Sequence, residues 1–279
     1  MHPLISKLGL GTAQFGLDGG PVRGKPPELE VRDMLLIAAR AGLGVIDACA
    51  ASAHGEVLMA TALPRPVPFR IAVKAARGER GPDFVEAEGR ASLKRLGLAQ
   101  ADAIIVQSAS DLFGPYGMAM WERLQAMRDE GLFAKVGISA YASDDPAGLA
   151  RRFKPDLIQA PGSLLDQRLL VDGALAAVRE MGVEVHLRSI FLNGLLFLPP
   201  DRVPSQLKGA ATRLSRARRM IAEGRSDPLQ AALGFALSRP EADSVIVGAA
   251  SAAELNAVIA AAGSPPPDLD WDDMALDDP

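Results

Sequence analysis

A (β/α)8 barrel is the fold class predicted by this sequence, and three observations predict it. Short runs rich in Val, Ile, Leu and Ala alternate with longer stretches of helical periodicity, a rhythm that builds a parallel sheet from βα units. Roughly eight such strands can be counted, whereas an open doubly wound sheet more often has about five or six. The length of 279 residues suits one barrel of about 250 residues.

The elements follow in order along the chain. Lys7 to Thr12 is the first strand. Glu28 to Ala41 places Val31, Leu35, Ala38 and Ala39 at helical spacing, and Gly42 and Gly44 then end the helix. Val45 to Ala48 is the second strand. Three further units pair strand Ile71 to Ala75 with helix Phe84 to Leu96, strand Ala103 to Gln107 with helix Met118 to Glu130, and strand Lys135 to Ser139 with helix Pro146 to Phe153. Strands Leu157 to Ala160, Glu184 to Ser189 and Ser244 to Val247 complete the count. Between Leu198 and Asp227, three prolines precede a basic stretch with Arg213, Arg216, Arg218 and Arg219, which reads as a loop plus an extra helix, with a solvated charged face favoured over a helix that attracts phosphates. The barrel domain is assigned to residues 1–264, and the acidic Pro/Asp-rich tail of 265–279 is expected to be extended or poorly ordered.

Hydrophobic residues make up 48% of the chain and charged residues 23%, enough for a large core and a hydrated surface. The net charge of -4 and the scatter of Lys and Arg leave no basic stripe, so nucleic acid is not an expected partner. Cys49 is the only cysteine, which suits a reducing, cytoplasmic setting. No apolar run approaches about 18 residues, and Met1 to Lys7 lacks the pattern of an export signal, so neither membrane insertion nor export is expected. No His, Cys and carboxylate cluster has metal-ligand spacing.

Active sites of such barrels form at the carboxyl ends of the strands, and there two residues stand out. Asp47 ends the apolar run Gly44-Val45-Ile46, and Lys74 sits within Ile71-Ala72-Val73-Lys74-Ala75. Burying either charge alone costs several kcal/mol, roughly, whereas pairing them across adjacent strand ends offsets part of that cost. Such a pair can simply close the rim of a barrel, or it can bias the pKa of a neighbouring acid.

Several stretches, in order, resemble the aldo-keto reductase family. They are Leu8-Gly9-Leu10-Gly11-Thr12-Ala13-Gln14-Phe15-Gly16, Gly42 to Asp47 with Glu56 and Ala62-Leu63, and Val73-Lys74. Lys135 to Ser139, Leu164 to Arg168, Arg188 to Leu196 and Val245 to Ala249 follow. The resemblance implies hydride transfer between a nicotinamide cofactor, usually NADPH, and a small carbonyl, alcohol or sugar. It also implies an Asp, Tyr, Lys and His catalytic set.

Carried over by position, the Asp is Asp47 and the Lys is Lys74. Ser52 stands at the Tyr position and Gln107 at the His position. A serine hydroxyl is shorter than a phenol and far less acidic, and Gln107 can donate a hydrogen bond but no proton. His54, two residues beyond Ser52, is the substitute acid to consider, against the plainer reading of a surface loop histidine. His186 reads as a core or bottom-facing residue.

Gly11, Thr12, Ser139, Gln159, Arg188, Ser189, Gly248 and Ser251 match positions that approach the cofactor. Ala140 and Ala250 replace the usual Asn and the usual basic residue, which puts NADP preference in question and makes NAD a candidate. Two functions are therefore expected. One is an oxidoreductase in which Lys74 and Asp47 set the field, His54 or water delivers the proton and Gln107 orients the carbonyl. The other is a catalytically inactive relative that binds a dinucleotide or other ligand as a sensor or scaffold. A lyase or isomerase is a weaker third, since fold alone does not fix chemistry.

Overall fold

A computed structural model describes residues 4–15, 26–48, 53–203 and 208–275. The eight strands are β1 (Leu8–Gly11), β2 (Val45–Ala48), β3 (Arg70–Lys74), β4 (Ala101–Val106), β5 (Phe133–Ser139), β6 (Leu157–Pro161), β7 (Glu184–Arg188) and β8 (Ser244–Gly248). All pair in parallel with their sequence neighbours, and β8 returns to β1, so the sheet is a closed barrel.

The helices between them are α1 (Glu28–Ala41), α2 (Ala53–Ala62), α3 (Pro82–Leu96), α4 (Gly117–Asp129), α5 (Pro146–Phe153), α6 (Arg168–Val171), α7 (Ala174–Glu180), α8 (Lys208–Glu223), α9 (Pro228–Ser238) and α10 (Ala252–Ala262). Their ends follow local chemistry. Gly42 closes α1 at φ 83° and Gly97 closes α3 at φ 65°, backbone states that a side chain would strain. Asp227 opens α9 by accepting from the Leu229 and Gln230 amides at 2.8 and 3.0 Å.

Strand alternation separates two cores. Leu8, Leu10, Ile46, Val73, Ile104 and Val185 face outward into the helical shell and join the large apolar cluster there. Val45, Ala72, Ala103, Ile105, Leu157 and Ile246 face inward and fill the barrel's middle. Because the side-chain period is two, the inward positions flanking this plug are polar. Arg70, Lys135, Glu184, His186 and Ser244 lie below it, and Asp47, Lys74, Gln159 and Arg188 lie above it.

The basic stretch forms α8, as its composition suggested. Arg218 of α8 donates to the backbone carbonyls of Leu196 and Leu198, so this helix also pins the loop that follows β7. The acidic tail differs from its expectation over residues 265–275. Trp271 packs edge-on against Phe235 at 5.6 Å, its carbonyl accepts from Gln167 Nε2 at 2.6 Å, and Met274 is buried. A count of prolines and aspartates conceals these apolar anchors, and their burial is what holds the segment down.

Candidate active site

The register brings the two charged strand ends together. Asp47 pairs with Ala72 across β2 and β3, which sets Lys74 one inward position higher on the neighbouring strand. Lys74 Nζ donates to Asp47 Oδ1 and Oδ2 at 2.8 and 3.0 Å. Gln159, from the other side of the barrel on β6, completes a triangle. Its Oε1 accepts from Lys74 at 2.7 Å and its Nε2 donates to Asp47 Oδ2 at 2.9 Å.

All three are nearly shut off from solvent, with Gln159 at 1% exposure and Asp47 at 8%. Burial pushes the Asp47 carboxyl upward most strongly. The adjacent Lys74 ammonium, its hydrogen bond and the Gln159 amide together outweigh that push and hold Asp47 below the ordinary carboxylate range. An ammonium has three N–H donors, and Lys74 directs bonds at three acceptor atoms within this triangle.

Neighbouring residues shape the mouth. Thr12 follows β1 and accepts no freedom from it, because both its amide and its hydroxyl donate to the Asp47 carbonyl, at 3.0 and 3.2 Å. Gly11 lies between Asp47 and Gly248 in register. Ser139 is buried at the end of β5 and pairs with Gln159. Arg188 ends β7, donating to Ser189 Oγ at 3.2 Å and to the Ala140 carbonyl at 3.3 Å, with the exposed Tyr141 ring 4.3 Å from its guanidinium carbon. Ser189 itself adopts φ 61°, a left-handed state uncommon for serine.

The remaining candidates are less central. Gln107 lies one residue beyond β4, not within it as expected, and is exposed. It keeps the inward phase of Ala103 and Ile105, so it belongs to the rim. His54 is the second residue of α2 and is exposed. Ser52 falls outside the described residues. His186 is fully buried beneath the triangle, as its strand position implied, and bonds Glu184 at 2.9 Å. Among the described residues no group of three His, Cys, Asp or Glu is arranged to hold a metal.

The amino end of α10 was not anticipated. Glu254 Oε2 accepts from the Ala250 amide at 2.9 Å, Glu30 Oε1 from α1 accepts from the Ala252 amide at 2.5 Å, and Ser251 Oγ accepts from the Glu254 amide at 3.2 Å. The signal was present as Ser251-Ala252-Ala253-Glu254, the spacing of a capping box. Two carboxylates thus occupy donors that a helix would otherwise offer to an anion.

The structure is a closed (β/α)8 barrel with a buried carboxylate, ammonium and amide converging at the carboxyl end of its strands, the end where barrels of this fold class place active sites. The sequence model of the Aldo/keto reductase family matches residues 7–275, and the chain belongs to that family. A curated aldo-keto reductase of Mycolicibacterium smegmatis is 26% identical over 126 residues, a match spanning 44% of each chain. Among solved structures, the holo form of the Bacillus halodurans aldo-keto reductase AKR11C1 superposes with a TM-score of 0.79 at 20% identity, covering 98% of this chain and 93% of that one. PA4992 of Pseudomonas aeruginosa, assigned to the aldo-keto reductases, gives a TM-score of 0.69 at 20% identity over 93% and 90% of the two chains.

Family members generally use a nicotinamide dinucleotide, and the residues here fit part of one. The buried polar side chains of Ser139 and Gln159, beside Lys74, suit the amide-bearing ring and ribose. At the amino end of α10, the Glu30 and Glu254 carboxylates accept from the Ala252 and Ala250 amides, and position 250 is alanine.

Proposed function

We propose that this chain is a nicotinamide-dinucleotide-dependent oxidoreductase acting on a small carbonyl or alcohol, with NAD(H) preferred over NADP(H), in the cytoplasm. The observation that carries this reading is the buried triangle of Asp47, Lys74 and Gln159 at the barrel mouth. Ser139, Gln159, Ser189 and Gly248 would hold the dinucleotide, which when bound supplies or accepts the hydride. Lys74, held in place by Asp47 and Gln159, presents its ammonium to the oxygen of the reacting carbon, where negative charge develops on reduction. Gln107 at the rim orients that oxygen by hydrogen bonding, and the proton arrives from solvent water or from His54 on α2. The NAD(H) preference is supported by Ala250, which stands where the family resemblance implies a basic residue, and by the Glu30 and Glu254 carboxylates that accept from the Ala252 and Ala250 amides there.

A second reading has one observation in its favour. Lys74 commits three bonds inside the triangle, so a reacting oxygen must displace one of them before it can be protonated or polarised directly. That arrangement suits a protein that binds a dinucleotide or other ligand without turning it over. Titration with NADH and NADPH, followed by fluorescence, and assay against a broad carbonyl panel separate the two. We expect NADH to bind about ten-fold or more tightly than NADPH, on the scale of one lost charge-assisted bond. Binding without turnover across the panel selects the second reading, and absence of dinucleotide binding rejects the oxidoreductase and the dinucleotide form of the second reading. Turnover that survives in His54→Ala assigns the proton to water.

A further inference from the structure

We propose that Arg188 and Tyr141 form a receptor for an oxyanion, carboxylate or phosphate, carried by the small molecule that reacts at the mouth. This rests on the reading above that the mouth holds a small carbonyl compound, and it names that compound's class. Arg188 is partly buried at the inward-facing end of β7, one inward position above His186, whose register partner is Gln159 of the triangle. Its guanidinium has five N–H donors, yet within the described residues it makes only two bonds, both to neutral oxygens.

No carboxylate pairs with Arg188 among the described residues, unlike Arg77 on the same end of the barrel, which grips Asp111 with Nε at 2.8 Å. Asp144, in the turn that carries Tyr141, is committed to the Tyr141 amide at 2.7 Å. Among the described residues, the inward-facing charges at the strand ends of the mouth are therefore Asp47, Lys74 and Arg188, and the first two pair with each other. The exposed Tyr141 ring lies 4.3 Å from the guanidinium carbon, within cation–π range, and the N–H donors not used on Ser189 and Ala140 are the place for an anionic acceptor. A partly buried guanidinium with no carboxylate beside it among the described residues, at a site opening, supports a ligand that supplies the opposite charge.

The test is isothermal titration of the full chain, without dinucleotide, using two matched pairs. Succinic semialdehyde is set against butanal, and glyceraldehyde 3-phosphate against glyceraldehyde. The expected result is an anionic member binding about ten- to a hundred-fold more tightly than its neutral partner. In Arg188→Gln that ratio falls to about one, and Arg188→Lys, which keeps the charge but not the fork, retains part of it. Should Arg188→Gln fail to fold by circular dichroism, Tyr141→Ala provides the reading, with a smaller loss of the same ratio. Equal or absent affinities in the wild type overturn the proposal, as does a preference that persists in folded Arg188→Gln. A variant that loses NADH affinity while keeping the anionic preference assigns the guanidinium to the cofactor and overturns it as well. Wild-type NADH titration judges the dinucleotide reading separately, because the aldehyde ratio is measured without it.

Discussion

The two ends of the barrel interior carry similar residues and have opposite electrostatics. At the floor, Glu184 accepts from Arg70 at 2.7 Å, Lys135 at 2.6 Å and His186 at 2.9 Å, while Asp102 approaches both cations at 3.6 and 3.4 Å. Arg70 and Lys135 meet Glu184 and Asp102 there, two cations against two carboxylates. At the mouth, Lys74 and Asp47 pair with each other, and among the described residues no carboxylate answers Arg188. A balanced network holds strands together, whereas an unbalanced one waits for a ligand. The carboxyl end of the strands is where barrels place their chemistry, and the imbalance lies at that end.

The largest effect expected from breaking this comparison is at the triangle. Lys74→Met leaves Asp47 buried and uncompensated, a change of the kind that costs about 3–5 kcal/mol. Denaturant unfolding should show that loss, and adding Asp47→Leu to the same chain should recover much of it by removing the stranded charge. A single variant as stable as the wild type would mean the pair is hydrated and the triangle is not the buried feature described above.

The floor should respond less, because its cations are more exposed. Glu184→Gln removes the acceptor shared by Arg70 and Lys135, and about 2 kcal/mol is expected, discounted from the fully buried case for solvent around Arg70. Ligand affinity at the mouth should not change. The same residue predicts a pH dependence. Desolvation raises the Glu184 carboxyl, but hydrogen bonds from His186, Lys135 and Arg70 overcome it and hold it far below the usual carboxylate range. A depressed carboxylate contributes its full stability above its unfolded pKa of about 4 and loses it as pH falls through the lower folded value. Asp47 acts in the same sense. Thermal unfolding should therefore hold nearly constant from about pH 7 to 5 and fall below about pH 4, less steeply in Glu184→Gln. An acid limb of equal slope in that variant would remove Glu184 from the account.

How much of this could be read beforehand depended on whether the information was local. Helices α1 and α5 and strand β2 have the bounds their periodicity predicted, because glycine, proline and apolar spacing act within a few residues. Strand ends slipped by one or two residues, which moved Gln107 from β4 to the rim. Asp47 and Lys74 were legible as a pair because they sit on consecutive strands. Gln159 was placed near the mouth, but its bonds to both depend on closure across the barrel, which no local pattern encodes. The approach of Tyr141 to Arg188 is hidden for the same reason, since β5 and β7 are separated by β6. The tail was misjudged through composition, when Trp271 and Met274 were the residues that mattered.

The smallest expected effect is also the sharpest control, because it lies at the mouth yet belongs to the balanced kind. Arg77 follows β3 and holds Asp111 through Nε and Nη2 at 2.8 Å each, and Asp111 also receives the Gly78 amide at 3.3 Å. The guanidinium is 46% exposed on its side chain, so screening by water limits the value of the pair. Arg77→Ala should cost about 1 kcal/mol in denaturant unfolding. It should leave the ratio of anionic to neutral aldehyde affinity unchanged, since its charge is already answered by Asp111. If Arg77→Ala erased that ratio as fully as Arg188→Gln, the positive field of the whole rim, and not one unanswered guanidinium, would be what selects the ligand.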